Sequence, residues 1–238
     1  MPLNALELTG RARTHIVDLD APRCSVHRDV VAPLLAMRAA ASGDGIDLVP
    51  VSGFRDFDRQ LLIWNGKFHG ERPALDRNGC AIDLTSLIPA QRVDAILWWS
   101  ALPGASRHHW GTELDVIDRA ALPEPARPEL VAREYAAGGV FARLNDWLDA
   151  EAHRFGFFRP YATDRGGVSP EPWHLSHAGL AQAALQSLTV EVLHAALEQA
   201  PLAGRNEVLA RLSQIHAHYV ATIDLPSPDL LIQWSRLS

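Results

Sequence analysis

Two short segments carry residue types that can hold a metal ion. In the run Ser106-Arg107-His108-His109-Trp110-Gly111-Thr112-Glu113-Leu114-Asp115, the imidazole of His108 and the carboxylate of Asp115 stand seven residues apart, with Gly111 between them to let the backbone turn. A second run, Glu171-Pro172-Trp173-His174, adds another imidazole and, three residues before it, a carboxylate that ligation does not need. Two histidines and one acid leave a fourth position open on a zinc ion, which a catalytic site requires and a structural site does not. Zinc so held lowers the pKa of its bound water toward about 7, and the chemistry implied is hydrolysis of a peptide bond at neutral pH. Any one of the eleven histidines is by itself more often a core or surface residue, so the weight lies on the joint occurrence of the two runs in this order.

Such a site needs rigid elements around it. Thr112 to Asp118 alternates as a strand does, with Leu114 and Val116 on one face and Glu113, Asp115 and Ile117 on the other, so Asp115 projects from a fixed backbone. Trp173 and Leu175 alternate with His174 in the same way, leaving Glu171 at the mouth of that strand. Upstream, Ile46 to Val51 reads as a short strand, with Pro50 pointing to a sheet edge or to the strand's end. Asp56 can cap a helix through Leu61, Leu62 and Trp64 to a stop at Gly66. Ser52, Arg55 and Gln60 then converge at a strand-to-helix junction.

Other helices follow from three- and four-residue apolar spacing. One starts at Asp29 and carries Val30, Leu34, Met37 and Ala41. A second spans Gln91 to Ala101. A third carries Phe141, Leu144, Leu148, Ala152 and Phe155 and ends at Gly156. Residues 66–88 and the proline-bearing stretch 119–138 read as connections, the former with one short strand. Beyond His177 the pattern is helical. The expected organisation is a zinc peptidase domain over residues 1–187 and a helical C-terminal extension, 188–238, packed on it.

At 238 residues, 47% hydrophobic and 21% charged, the chain can bury one substantial core. A net charge of -6 argues against nucleic acid or an anionic membrane surface as the main partner. Cys24 and Cys80 have no CxxC spacing, so neither a disulfide framework nor a thiolate zinc site is indicated. Residues 172–190 lack charged side chains, but His174, His177, Gln182 and Gln186 make them too polar to span a bilayer. Glu7 interrupts the N-terminus before a signal-peptide run forms, so a cytoplasmic location is expected, or a periplasmic one if the native start differs.

Taken together, Ser106-x-His108-x-x-Gly111-x-x-x-Asp115, Glu171-Pro172-Trp173-His174, and Ser52-Gly53-Phe54-Arg55 with Gln60 resemble the M15 metallopeptidases of the VanY type, D-alanyl-D-alanine carboxypeptidases and related LAS enzymes. The likeness runs from Ser52 to His177 with some flanking chain. It implies an α+β fold, a small antiparallel sheet carrying a zinc site and packed with helices in the LAS/hedgehog-like manner, here with a helical C-terminal extension. It also implies one zinc ion on His108, Asp115 and His174, with Glu171 as catalytic base and Arg55 steadying the scissile carbonyl or developing oxyanion. Ser52, Gln60, Ser106 and Trp173 are the implied substrate-binding residues. The implied activity is removal of the terminal D-alanine from a peptidoglycan stem peptide or precursor, by a monomer. Glu113 departs from the family, which has a small residue there, and so changes the expected pocket wall. Two alternatives stand beside this reading: an L,D-carboxypeptidase or endopeptidase on the same polymer, and a non-catalytic wall-peptide-binding zinc module. His109, His177, Asp118 and Tyr161 are expected to be ordinary core or loop residues.

Overall fold

The computed structural model describes residues 2–235; residue 1 and residues 236–238, the outer ends of the two expected domains, lie outside the described residues. In chain order the elements are α1 (Ala5–Leu8), β1 (Ile16–Asp20), β2 (Arg23–His27), α2 (Val31–Gly43), β3 (Leu48–Ser52), α3 (Phe57–Phe68), β4 (Ala74–Leu75) and β5 (Ala81–Ile82). They continue with α4 (Pro89–Leu97), β6 (Glu113–Asp118), α5 (Ala132–Tyr135), α6 (Ala142–Glu151), β7 (Phe157–Phe158) and β8 (His174–His177). The chain closes with α7 (Ala178–Ser187), α8 (Val190–Leu197), α9 (Arg205–Ala210), α10 (Leu212–Ile215) and α11 (Pro228–Ser235).

The central feature is an antiparallel sheet in the order β3-β6-β8-β7. Helices surround it in blocks, the α+β arrangement expected. Strand β6 is interior and all six of its residues are buried. Strand β3 lies at the edge, where Pro50 costs no ladder hydrogen bond, and its register with β6 shifts between Pro50 and Ser52. That pairing sets Asp115 opposite Ser52 on one side and opposite His174 on the other. Three of the residues singled out in the sequence therefore lie side by side across neighbouring strands.

Two apolar clusters support the sheet. In one, Leu34, Met37, Leu144 and Phe141 from α2, α6 and the turn before α6 pack with Leu114, Val116 and Leu175 of β6 and β8. In the other, Trp64 of α3, Trp110, and Val93 and Leu97 of α4 pack with Leu193, Leu197, Val208 and Leu212. Each such fully buried side chain contributes roughly 1.5–3 kcal/mol. The helices after residue 187 thus share a core with α3 and α4.

Some element bounds differ from the sequence reading. Helix α3 is capped by Asp56, whose carboxylate accepts from Arg59 N–H at 2.7 Å, but it runs past Gly66 to Phe68. Helix α4 ends at Leu97, short of Ala101, and residues 66–88 contain the hairpin β4–β5. The hairpin β1–β2 was not foreseen. It packs on the turn at Gly111: this residue has φ +68°, its carbonyl accepts from His27 N–H at 2.8 Å, and a Cβ there would lie 2.3 Å from Ile16 Cδ1. Among the described residues no helix is long and apolar enough to cross a membrane.

Candidate active site

Asp115 projects from β6 and His174 from β8, while His108 comes from the single turn of 3-10 helix, Arg107–Trp110, that precedes β6. One ligand-capable atom from each of these three residues lies within 4.8 Å of the others, and all three side chains are buried. His108 Nε2 stands 3.4 Å from Asp115 Oδ2, and His174 Nδ1 stands 3.1 Å from Asp115 Oδ1.

The far nitrogen of each ring is fixed by a group that can only accept. His108 Nδ1 lies 2.7 Å from the carbonyl of Gly53, and His174 Nε2 lies 2.9 Å from Glu113 Oε2. A proton on each of those nitrogens leaves, in the neutral ring, a lone pair on His108 Nε2 and on His174 Nδ1, both on the Asp115 side. Asp115 Oδ1 is buried and has no hydrogen bond of acceptable geometry. Two imidazole nitrogens and an orphaned carboxylate oxygen are a donor set that fits a divalent cation with affinity for nitrogen and oxygen.

The electrostatics point the same way. Burial favours the neutral acid at Asp115, but the adjoining His108 and His174 outweigh it and hold the carboxyl well below the usual carboxylate range. Burial pushes His108 down, toward the neutral imidazole a ligand must be. Burial opposes the charged form of His174 too, yet the adjoining carboxylates of Asp115 and Glu113 carry it up to about 10. A cation held among these carboxylates would supply the positive charge that they otherwise draw from a proton on His174.

Glu171 sits at the mouth of β8, its backbone N–H donating to Tyr161 O at 2.9 Å and its carbonyl accepting from His174 N–H at 3.1 Å. Its Oε2 is 3.5 Å from His174 Nδ1. Burial and then the Asp115 charge raise its carboxyl, and His174, Arg55 and Lys67 limit the rise, leaving it at about 7. A carboxyl poised there can both accept and return a proton near neutral pH.

A cavity of about 320 Å³ joins these groups, lined by Arg55, Lys67, Ser100, Ser106, Tyr161 and Trp173 as well as His108, Asp115, Glu171 and His174. Arg55 Nη1 donates to Gln60 Oε1 at 2.8 Å and Nη2 to Ser52 Oγ at 3.2 Å, so its guanidinium is fixed in direction. Ser52 lies in an adjoining groove, not in the cavity itself. Gln60, expected at the substrate, lies behind Arg55. It is wholly buried, and its amide is bonded to Arg55 and to Ala101 O, because position 60 falls on the inward stripe of α3 with Phe57, Trp64 and Phe68.

Glu113 also stands apart from the pocket wall, where the sequence reading set it. It is fully buried behind His174, and beside the His174 bond its Oε1 accepts from Thr112 Oγ1 at 2.9 Å and Ser176 Oγ at 2.8 Å. Arg107 donates to both its oxygens at 3.2 Å. Burial alone raises this carboxyl, but the Arg107 charge and the bonds from His174 and Ser176 hold it at about 2. Lys67 and Ser100, which also line the cavity, were not among the site residues read from the sequence.

A model of the VanY D-alanyl-D-alanine carboxypeptidase family matches residues 23–180. The chain belongs to the VanY family. Its activity is accordingly that of a carboxypeptidase on peptidoglycan peptides. An uncharacterised protein of Haemophilus influenzae is 45% identical over 105 residues, covering 43% of this chain and 72% of that one. A D-alanyl-D-alanine carboxypeptidase of Enterococcus faecalis is 28% identical over 147 residues, covering 59% of this chain and 44% of that one. Among solved structures, VanYB in complex with D-alanine-D-alanine is similar at a TM-score of 0.51 and 22% identity, over 78% of this chain and 89% of that chain. A VanY D,D-pentapeptidase mutant in complex with Zn(II) has the same TM-score and identity, over 81% of this chain and 88% of that chain. Both likenesses are likenesses of fold.

Proposed function

We propose that the protein is a zinc-dependent carboxypeptidase that removes the terminal D-alanine of peptidoglycan stem peptides or their precursors. The observation that carries this reading is the meeting of His108, Asp115 and His174 around one point, with the carboxyl of Glu171 beside it in a shared cavity. His108 Nε2, Asp115 and His174 Nδ1 would hold a single zinc ion. Zinc, when bound, supplies Lewis-acid polarisation and lowers the pKa of water at the site to about 7.

The remaining work falls to side chains of this chain. Glu171 takes the proton of the attacking water and returns it to the leaving amine, which needs reach to both and a pKa near the working pH. Arg55, held in orientation by Gln60 and Ser52, directs its donors at the scissile carbonyl, where negative charge develops. Ser106 and Trp173 line the place of the substrate, Trp173 as an apolar wall that limits water beside His174.

The test is mass spectrometry of products from defined tripeptide to pentapeptide stems, before chelation, after it, and after zinc is restored. Loss of one D-alanine that stops with chelation and returns with zinc is expected. Cleavage elsewhere in the stem would reassign the bond, and turnover indifferent to chelator would remove the metal from the mechanism.

A further inference from the structure

The last turn of α3 brings Lys67 to the wall of the cavity, where its ammonium donates to Ser100 Oγ at 2.7 Å. Among the described residues that is its one hydrogen bond, and no carboxylate forms an ion pair with it. Arg55 likewise forms no ion pair among the described residues, but both it and Arg107 are held by more than one side-chain bond. Arg107 is matched by Glu113, and Arg55 directs two nitrogens at Gln60 and Ser52. Burial makes the Lys67 charge costly, and the charge of Glu171 across the cavity only partly offsets it. A part-buried ammonium whose hydrogen-bond partner is a neutral hydroxyl is suited to pairing with an anion.

The surroundings say where along a substrate that anion lies. A second groove, of about 660 Å³, shares Arg55, Ile63, Asp115 and Leu130 with the cavity and is lined by Arg13, Ser25, Ser52 and Arg59. Lys67 and Ser100 line the cavity and not the groove. A peptide that occupies both spaces passes the shared residues Arg55 and Asp115, with one part in the groove and its end in the cavity that holds Lys67. Resting on the carboxypeptidase reading above, we propose that Lys67, oriented by Ser100, binds the free C-terminal carboxylate of the substrate and so restricts the enzyme to the last peptide bond. The longer part of the stem then follows the groove past Ser52.

The experiment compares zinc-loaded wild type and Lys67→Met on one synthetic stem pentapeptide in two forms, with a C-terminal carboxylate and with a C-terminal amide. A charge-assisted hydrogen bond lost with its partner corresponds to about 10- to 100-fold. Wild type is expected to prefer the acid to the amide by about that factor in kcat/KM. In Lys67→Met the ratio falls to near unity, chiefly through a higher KM for the acid, at unchanged zinc content, and Lys67→Arg recovers part of the preference. A ratio preserved in Lys67→Met overturns the proposal even if both substrates slow, since equal slowing places Lys67 in the service of Glu171 or of the fold. Wild type that cleaves the last peptide bond of neither form, releasing neither D-alanine from the acid nor D-alaninamide from the amide, overturns the carboxypeptidase reading itself, and this assignment with it.

Discussion

Glu113 Oε2 lies 2.9 Å from Nε2 of His174, on the edge of the ring opposite Asp115 and Glu171. Its own place is fixed by Arg107, Ser176 and Thr112, so one buried network determines the tautomer and the angle of the imidazole. Carboxylates in this position make the ring's other nitrogen, here Nδ1, a better donor to a metal.

Replacement of Glu113 therefore acts on metal binding first. Glu113→Gln keeps the shape but removes the charge that matches Arg107 and favours His174 as a donor. Zinc affinity, measured by competition with a chromogenic chelator, is expected to fall about 10- to 100-fold. Affinity equal to wild type would reduce Glu113 to a packing role.

Glu171→Gln separates ligation from proton transfer. With the three proposed ligands untouched, zinc content is expected to stay at the wild-type level, while kcat falls by about 10²- to 10⁴-fold for want of a group that can accept and return a proton. His174→Ala, by contrast, loses both zinc and turnover. A Glu171→Gln protein working at the wild-type rate would take the base out of the mechanism.

What the sequence conveyed about this site depended on spacing within single elements. Asp115 and His174 were legible because each alternates with apolar neighbours along a strand, and the β6–β8 register then sets them face to face. Glu113 was visible as well, two residues before Asp115 on the same strand face, but its bonds to Arg107 and Ser176 depend on how three segments meet. Gln60 misled because nearness in sequence to Arg55 suggested a shared cavity, whereas its spacing from Phe57, Trp64 and Phe68 marks the buried stripe of α3. Lys67 and Ser100 belong to different elements, and nothing local to either announces the other. The hairpin β1–β2 is weakly patterned because its strands are mostly half-exposed, so its anchorage on Gly111 appears only in three dimensions.

Arg55 offers a test of the transition state. Its two hydrogen bonds fix the direction of the guanidinium, so in the role proposed for it the group would need no reorganisation as charge develops on the carbonyl oxygen. Arg55→Ala is expected to lower kcat/KM about 10²- to 10³-fold with zinc content unchanged. Gln60→Leu, which removes one of the two bonds but not the charge, is expected to lower it less. Unchanged efficiency in Arg55→Ala would leave the guanidinium without a part in catalysis.

His109, next to a proposed ligand, governs stability rather than chemistry. Its Nδ1 lies 2.6 Å from Arg55 O, and its Nε2 accepts from Gly104 N–H at 3.1 Å, which uses the donor and the acceptor of a neutral ring. A second proton would face the N–H of Gly104, and burial lowers the pKa from 6.5 to about 3. The unfolded chain binds this proton below about pH 6.5 and the folded protein does not, so the stabilisation is complete above that pH and is lost as pH falls toward about 3. Through the middle of this window the loss approaches about 1.4 kcal/mol per pH unit. His177, held at about 4 by burial, adds a second group of the same sign. Urea unfolding of zinc-free wild type and His109→Gln from pH 7 to pH 5, roughly the range before most carboxylates titrate, measures the difference. Wild type is expected to lose stability more steeply than the variant as the solution is acidified, and parallel slopes would show that His109 takes up its proton in the folded state.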